Sequence, residues 1–330
     1  MKQTLSKLIQ HEQLSKEDAF QVLVDIASKE YDQASLAAFL TVFMMRKISL
    51  DELRGFREAL QELCIRVDIA EYNAMDVCGT GGDGKNTFNI STLAAFVIAS
   101  AGIPVAKHGN YGVSSVSGSS NVLEYLGIEF KKETDFHKKC LDNAGICILH
   151  APLFHPAMKA VGPVRKSLGL KTFFNMLGPL VNPSFPKIQM VGVFNLELQR
   201  MYAYLFQQEE KKYSIVHDLE GYDEISLTGK TKIFQQEKEL LLDHESFGVS
   251  SKIEVSAIFG GDTVKEAARL FTQIISGKGT DAQNNVVAAN AALGISTATE
   301  KSFEDSFHLA MENLVNGKAL ATFNQLKSLQ

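Results

Sequence analysis

Up to about residue 67 the apolar positions recur at helical spacing. Ala19, Phe20, Leu23, Val24 and Ala27 form one stripe. Leu36, Phe39, Leu40, Phe43 and Met44 form a second, and Leu53, Phe56, Leu60 and Leu63 a third. Side chains three and four positions apart share one face of a helix, so these stripes predict three amphipathic helices. Ser15 with Asp18 and Ser49 with Glu52 have the capping-box spacing that starts a helix. No strand pattern occurs here, and the segment predicts a small all-helical domain.

From Met75 short apolar runs alternate with helical ones. Ala74–Cys78, Ile103–Ala106, Ile146–Leu149, Ile188–Phe194 and Tyr213–Val216 predict buried strands. Helical stretches near 92–101, 119–126, 134–144 and 197–208 separate them, 231–243 suggests a hairpin, and 262–277 and 283–293 are helical again. This alternation predicts an α/β fold with a mostly parallel central sheet covered on both faces. From His155 to Leu180 the pattern is helical, punctuated by Pro156, Pro163 and Pro179, and the strand signals stop. The chain is therefore expected to leave the sheet and rejoin its N-terminal helices. The expected domains are a helical one (1–70 and about 155–183) and an α/β one (71–154 and 184–330). A cleft between them would face the carboxyl ends of the strands, where open α/β sheets bind ligands.

The 330 residues carry a net charge of -5, which leaves no electrostatic footprint for nucleic acid. The cysteines, Cys64, Cys78, Cys140 and Cys147, form no C-x-x-C pair and predict free thiols. The opening residues Met1 to Lys7 contain no apolar signal core, and no apolar run is long enough to span a membrane. A cytoplasmic chain is expected.

The segment Gly79-Thr80-Gly81-Gly82-Asp83-Gly84-Lys85-Asn86-Thr87-Phe88-Asn89-Ile90-Ser91-Thr92 joins a predicted strand to a predicted helix. Glycines let backbone approach a ligand closely, and a following helix N-terminus favours an anion such as phosphate. Two familiar phosphate patterns fit only on paper. Asn86 stands where a P-loop needs Ser or Thr for magnesium. A dinucleotide site needs its helix to open within the glycines and an acid on the next strand. Here the apolar helical run starts at Leu93, with Asn89 or Ser91 as cap, and the next strand ends in Lys107-His108.

That second strand leads into Lys107-His108-Gly109-Asn110, then Gly112, Ser114-Ser115 and Ser117-Gly118-Ser119-Ser120. Lysine supplies a point charge for phosphate, and hydroxyls and backbone N–H groups give direction. The plain alternative is a polar loop with Ser119 capping the next helix. Asp223 and Glu224 are adjacent acids after a strand; in extended chain they point apart, so each could reach a different metal ion, with Ser91 adding a hydroxyl. The plain alternative there is a solvated acidic turn. Arg165 could fork onto a substrate carboxylate or be a surface arginine. His108 could line the site. His150 and His155 show no triad spacing, and no H-E-x-x-H occurs.

Taken in order, these motifs resemble the signatures of the anthranilate phosphoribosyltransferase family. The glycine loop with Thr87 to Thr92 is similar to its diphosphoribose signature, and Lys107 to Asn110 with Ser117-Gly118-Ser119 to its second. Arg165, Leu168-Gly169 and Thr172 to Pro183 resemble its third, and Asp223-Glu224 its metal pair. The resemblance implies a fold of the nucleoside phosphorylase and phosphoribosyltransferase class, similar to pyrimidine nucleoside phosphorylases. It implies a reaction in which the amine of anthranilate attacks C1 of 5-phosphoribosyl 1-diphosphate and pyrophosphate leaves, giving a tryptophan precursor. It also implies a magnesium requirement, with two ions, and a homodimer joined through the helical domain. Carried over residue by residue, Gly79, Asn110 and Arg165 hold anthranilate. Gly79, Gly82, Asp83, Thr87, Asn89, Ile90, Ser91 and Thr92 hold the diphosphoribose, with Lys107, His108, Gly109, Asn110, Ser114, Ser115 and Ser119. Ser91, Asp223 and Glu224 hold magnesium, and Lys107, Asn89 and His108 are candidates for direct catalytic support. Tyr111 and Val116 stand where the family commonly has Arg and Lys, and Asn121 where it commonly has Asp. Rival readings are a pyrimidine nucleoside phosphorylase, which the metal pair and Arg165 disfavour, and a non-catalytic nucleic-acid-binding relative, which the net charge disfavours.

Overall fold

The computed structural model describes residues 1–29, 31–112, 117–236 and 238–330. In chain order the helices are α1 (Lys2–Ile9), α2 (Lys16–Ser28), α3 (Gln33–Met45), α4 (Leu50–Leu63), α5 (Ile90–Ser100), α6 (Ser119–Tyr125) and α7 (Thr134–Ala144). They continue with α8 (Ala151–Phe154), α9 (Ala157–Leu168), α10 (Phe174–Leu177), α11 (Leu196–Phe206), α12 (Val264–Ile275), α13 (Asp281–Thr299), α14 (Phe303–Val315) and α15 (Lys318–Ser328). The strands are β1 (Met75–Gly79), β2 (Val105–Gly109), β3 (Ile146–His150), β4 (Ile188–Gly192), β5 (Lys212–Asp218), β6 (Thr231–Gln235) and β7 (Lys238–Leu242). Two compact units result: Met1–Arg66 with Ala151–Pro183, and Val67–His150 with Ser184–Gln330.

The first unit contains α1 to α4 and α8 to α10. Its core is aromatic: Phe56 stacks on Phe173 at 4.5 Å, and Phe39 meets Phe43 edge-on at 5.1 Å. Gly55 lets α4 press against α2, because a Cβ there would lie 2.2 Å from the Lys16 carbonyl oxygen. Ser15 Oγ accepts from Asp18 N, and Ser49 and Glu52 form a reciprocal capping box. Glu52 does more than cap. Buried in the unit, it accepts from Arg46 Nη1 at 3.0 Å, from Ser49 N at 2.8 Å and from Leu14 N at 2.9 Å.

The second unit is a seven-stranded sheet in the order β3-β2-β1-β4-β5-β6-β7. The first five strands are parallel; β6 and β7 add the antiparallel hairpin expected at 231–243. The order reverses between β1 and β4, so the loops after these strands diverge there and leave room for a ligand. Helix α5 is apolar on every side and buried from Leu93 to Ala99, as a helix enclosed by other elements must be. The helices α14 and α15 are additions that weaker apolar spacing concealed; Asn313 and Ser306 occupy buried positions in α14. All four cysteines are free thiols. No described helix is long and apolar enough to cross a membrane.

Burial pushes the Glu52 carboxyl up, but the bonds from Arg46, Ser49 and Leu14 outweigh it and hold it below the usual range. The folded state then binds fewer protons than the unfolded one, so this contribution is present above the unfolded pKa and is lost as pH falls through the folded value. Glu52→Ala, which strands Arg46, should lower stability by about 3 kcal/mol in urea titrations at neutral pH, with the difference from the unaltered chain shrinking at acid pH.

Candidate active site

The loop after β1 is held open by its glycines: Gly81, Gly82 and Gly84 have φ of 60°, 76° and 76°. Thr80 N donates to the Gly192 carbonyl at 2.9 Å, tying the loop to the end of β4. Phe88 N donates to the Ile258 carbonyl at 3.1 Å and Gly260 N to the Asn86 carbonyl at 2.8 Å. Helix α5 then begins at Ile90, the start that Asn89 as cap implies, with the polar Ser91 and Thr92 in its first turn ahead of the apolar run from Leu93. Asn89 stands at the N-cap without making a cap bond. Its Oδ1, with the hydroxyls of Thr80 and Thr92, is buried with no hydrogen-bond partner. Polar atoms so placed carry an unmet demand that a bound ligand can meet.

The acidic pair enters from the loop after β5 and is no solvated turn. Asp223 Oδ2 accepts from Gly81 N at 2.8 Å. Glu224 accepts from Ser91 N at 3.0 Å and from Thr87 Oγ1 at 3.3 Å. One acid thus grips the glycine loop and its neighbour the start of α5. Burial pushes the Asp223 carboxyl up to about 7, and the Asp83 charge adds to it. Burial raises Glu224 well above the carboxylate range, and Asp223 and Asp83 raise it further, against a weaker pull from Lys107. Asp223 is buried and Glu224 and Asp83 are half-buried, so three acids crowd one place that a cation would relieve. Among the described residues no three His, Cys, Asp or Glu side chains form a closed metal cage. Magnesium needs only one or two carboxylates and fills its shell with water and substrate oxygens. The fit is tight: a Cβ on Gly192 would lie 1.6 Å from the Asp223 carbonyl oxygen, and one on Gly79 would lie 2.7 Å from Asp223 Oδ2.

Lys107, His108 and Gly109 lie inside β2 rather than after it, because they pair with Ile148, Leu149 and His150 of β3. Between β1 and β2, by contrast, the described ladder is the single pair Met75↔Val105. Farther along, side chains bridge the strands: His108 N donates to Asp76 Oδ1 at 3.0 Å, and Lys107 Nζ donates to the Val77 carbonyl. Lys107, only 2% exposed, also reaches Ser91 Oγ at 3.5 Å. The Asn110 carbonyl accepts from Ser119 Oγ at 3.3 Å and Ser120 N at 3.2 Å. Gly118 is the N-cap of α6 and Ser119 its first residue, so Ser119 is not the cap that its hydroxyl suggested. Asn121 Oδ1 accepts from Gly112 N at 2.9 Å and Gly118 N at 3.0 Å, a task that needs an acceptor but no charge. Tyr111 sets its ring edge-on to His150 at 4.7 Å, and its hydroxyl donates to Glu124 at 3.2 Å. Ser114, Ser115 and Val116 lie outside the described residues.

Within the helical unit, Arg165 lies on α9, half-buried. Its guanidinium rests 5.3 Å over the Phe174 ring, and Nη2 donates to Asn175 Oδ1 at 3.4 Å. Burial pulls its pKa down from the ordinary guanidinium value. His150 is stacked on Phe130 at 4.4 Å and shares a hydrogen bond with Ser120 Oγ at 2.8 Å; burial pulls it to about 4. Burial likewise pulls His155 to about 4, so both rings are neutral at pH 7. The α/β unit therefore assembles Gly79, Asp83, Thr87, Asn89, Ser91, Lys107, Asp223 and Glu224. Sequence reasoning missed Thr80 and Gly192. A glycine ending the strand beside β1 is the signal that could have found Gly192.

Comparison with known proteins agrees in extent along the chain. Residues 71–320 match the glycosyl transferase family, a/b domain, and residues 2–64 match its helical bundle domain. The chain is 61% identical to the anthranilate phosphoribosyltransferase of Flavobacterium johnsoniae, covering 100% of this chain and 99% of that one. It is 48% identical to that of Bacteroides thetaiotaomicron, with coverage of 100% and 99%. Among solved structures, anthranilate phosphoribosyltransferase from Thermus thermophilus superposes with a TM-score of 0.90 at 32% identity, covering 98% of each chain. The Saccharomyces cerevisiae protein in complex with PRPP and Mg gives 0.89 at 28% identity, covering 98% of this chain and 96% of that one.

The crowding around Asp223 gives a direct expectation. Gly192→Ala should lower stability by about 3 kcal/mol in thermal unfolding, because backbone must shift to admit the methyl. Gly162→Ala, in the interior of α9 with nothing within 4 Å of the new Cβ, should raise it by up to about 1 kcal/mol.

Proposed function

The chain belongs to the anthranilate phosphoribosyltransferase family, and from that premise we infer its reaction: transfer of the 5-phosphoribosyl group from 5-phosphoribosyl 1-diphosphate to the amine of anthranilate, with release of pyrophosphate. The observation that supports it most is the convergence of Asp223 on Gly81 N and Glu224 on Ser91 N, beside the partnerless buried atoms of Thr80, Asn89 and Thr92. A pyrophosphate is dense negative charge carried with a hard cation, and this corner offers acids for the cation and the hydroxyls of Thr80 and Thr92 as donors to the oxygens.

Magnesium, held by Asp223, Glu224 and the hydroxyl of Ser91, would supply positive charge to the diphosphate oxygens. The glycine loop, which includes Gly79, Gly82 and Asp83, would lie with its backbone against the diphosphate, since the left-handed Gly81, Gly82 and Gly84 project no side chains there. Lys107 keeps a fixed positive charge beside Ser91, on the side of the leaving group. Thr87, Asn89, Ile90 and Thr92 line the start of α5, whose N-terminus favours a phosphate. His108 and Gly109 at the end of β2, Asn110 after it and Ser119 at the start of α6 would make the second set of contacts to the diphosphoribose. Gly79 and Asn110 place anthranilate, and the Arg165 guanidinium meets its carboxylate as a planar fork already steadied by Phe174 and Asn175. The aniline nitrogen is a nucleophile as it stands. The protein's task is to align it with C1 and to stabilise charge separating between ribose and pyrophosphate. The neutral His150 and His155 are not needed as bases.

The deciding experiment mixes the protein with anthranilate, 5-phosphoribosyl 1-diphosphate and magnesium and follows anthranilate fluorescence. A magnesium-dependent decline is expected, and its absence would sink this reading. Arg165→Ala should raise the KM for anthranilate by roughly tenfold or more, since a charge-assisted pair contributes about 1.5–3 kcal/mol, while the KM for the diphosphoribose stays nearly constant. An equal rise in both constants would refute the role given to Arg165.

A further inference from the structure

The acidic pair sits in residues 219–230, which form no regular element. Asp223 is 8% exposed, and the acids around it repel one another. A segment left free to relax would carry these carboxylates toward water. Two buried side chains from regular elements oppose that. Asp218, at the end of β5, accepts from Glu220 N at 2.8 Å, Ser226 Oγ at 2.7 Å and Thr231 Oγ1 at 2.9 Å, closing the segment on itself. Asn290, 1% exposed in the middle of α13, reaches in from outside. Its Oδ1 accepts from Ile225 N at 3.0 Å, and its Nδ2 donates to the Ile225 carbonyl at 2.8 Å. The same Nδ2 donates to the Val286 carbonyl one turn back at 2.8 Å, which locks the rotamer.

A single amide therefore satisfies both backbone groups of the residue next to Glu224, as a neighbouring strand would. We propose that Asn290 is a positioning residue for the metal pair: by clamping Ile225 to α13 it fixes the direction of the chain at Glu224 and so holds Asp223 on the glycine loop and Glu224 on the start of α5. Asn290 touches neither substrate nor metal. Its effect passes through the Ile225 backbone to the Glu224 contacts with Ser91 N and Thr87 Oγ1. The inference rests on the reading of Asp223 and Glu224 as magnesium ligands.

The test titrates magnesium into the full chain in the presence of inorganic pyrophosphate, by calorimetry, beside thermal unfolding. Asn290→Ala should weaken magnesium binding by about tenfold or more, the usual effect of losing a residue that orients ligands. Asn284→Ala is the matched control: Asn284 is buried on the same helix and bonds backbone too, its Nδ2 donating to the Gly279 carbonyl at 3.3 Å, but at the helix start. It should lower the unfolding temperature while leaving magnesium affinity within about twofold of the unaltered chain, a change of about 0.4 kcal/mol. Asn290→Val fills the space without hydrogen-bonding groups and serves if the alanine variant does not fold. Unchanged magnesium affinity in Asn290→Ala or Asn290→Val would overturn the inference, as would an equal loss in Asn284→Ala. If the unaltered chain binds no magnesium and Asp223→Asn changes nothing, the metal reading itself fails and this inference falls with it.

Discussion

The crowding of Asp223 and Glu224 against the glycine loop and the start of α5 is the constraint on which the site of the α/β unit depends. A carboxylate removed from water demands compensation. Here backbone N–H groups supply part of it: Gly81 for one acid and Ser91 for the other. Those two bonds join the loop after β5 to the loop after β1 and to the first turn of α5. They leave the acids raised toward or above neutrality, so the remaining compensation is open to a cation. The same arrangement explains Gly192 and Gly79, whose missing side chains leave the room that Asp223 occupies.

The sheet makes this meeting possible. The strand order reverses between β1 and β4, and Thr80 N bonds across that junction to the Gly192 carbonyl. On the other side, β1 lies parallel to β2, and Asp76 and Lys107 add side-chain bonds between the two strands. A lysine that would otherwise point from a strand into a covering layer is instead held between strand ends, near Ser91. Its ammonium is thus held by β1 and β2 beside α5, and the acidic pair, on the irregular segment after β5, by its bonds to the glycine loop and to α5. That suits a reaction whose main requirement is charge placed in advance.

The helical unit follows a separate logic. Stacked phenylalanines fill its core, and Glu52, buried with Arg46, ties the turn before α2 to the start of α4. Arg165 rests on Phe174 and Asn175 in the same unit, so its guanidinium is oriented without an acidic partner at short range among the described contacts.

Local chemistry by itself determined the helical start of the chain, the change to alternating strands at Met75, the two glycine loops and the hairpin. Apolar spacing, capping residues and glycine act over a few neighbours, so they are legible without the fold. The ordered motifs also carried the family. Local chemistry misjudged where β2 ends, because pairing with β3 draws Lys107 and His108 into the strand, and it could not choose between Asn89 and Ser91 as the cap of α5, because Ser91 N finds its acceptor on the distant Glu224. It could not distinguish a buried Asp223-Glu224 pair from a solvated turn. Nor could it single out Thr80, Gly192 or Asn290, whose importance arises from what they touch at long range. Burial, charge crowding and the clamp on Ile225 depend on which segments meet, and only the tertiary structure decided that.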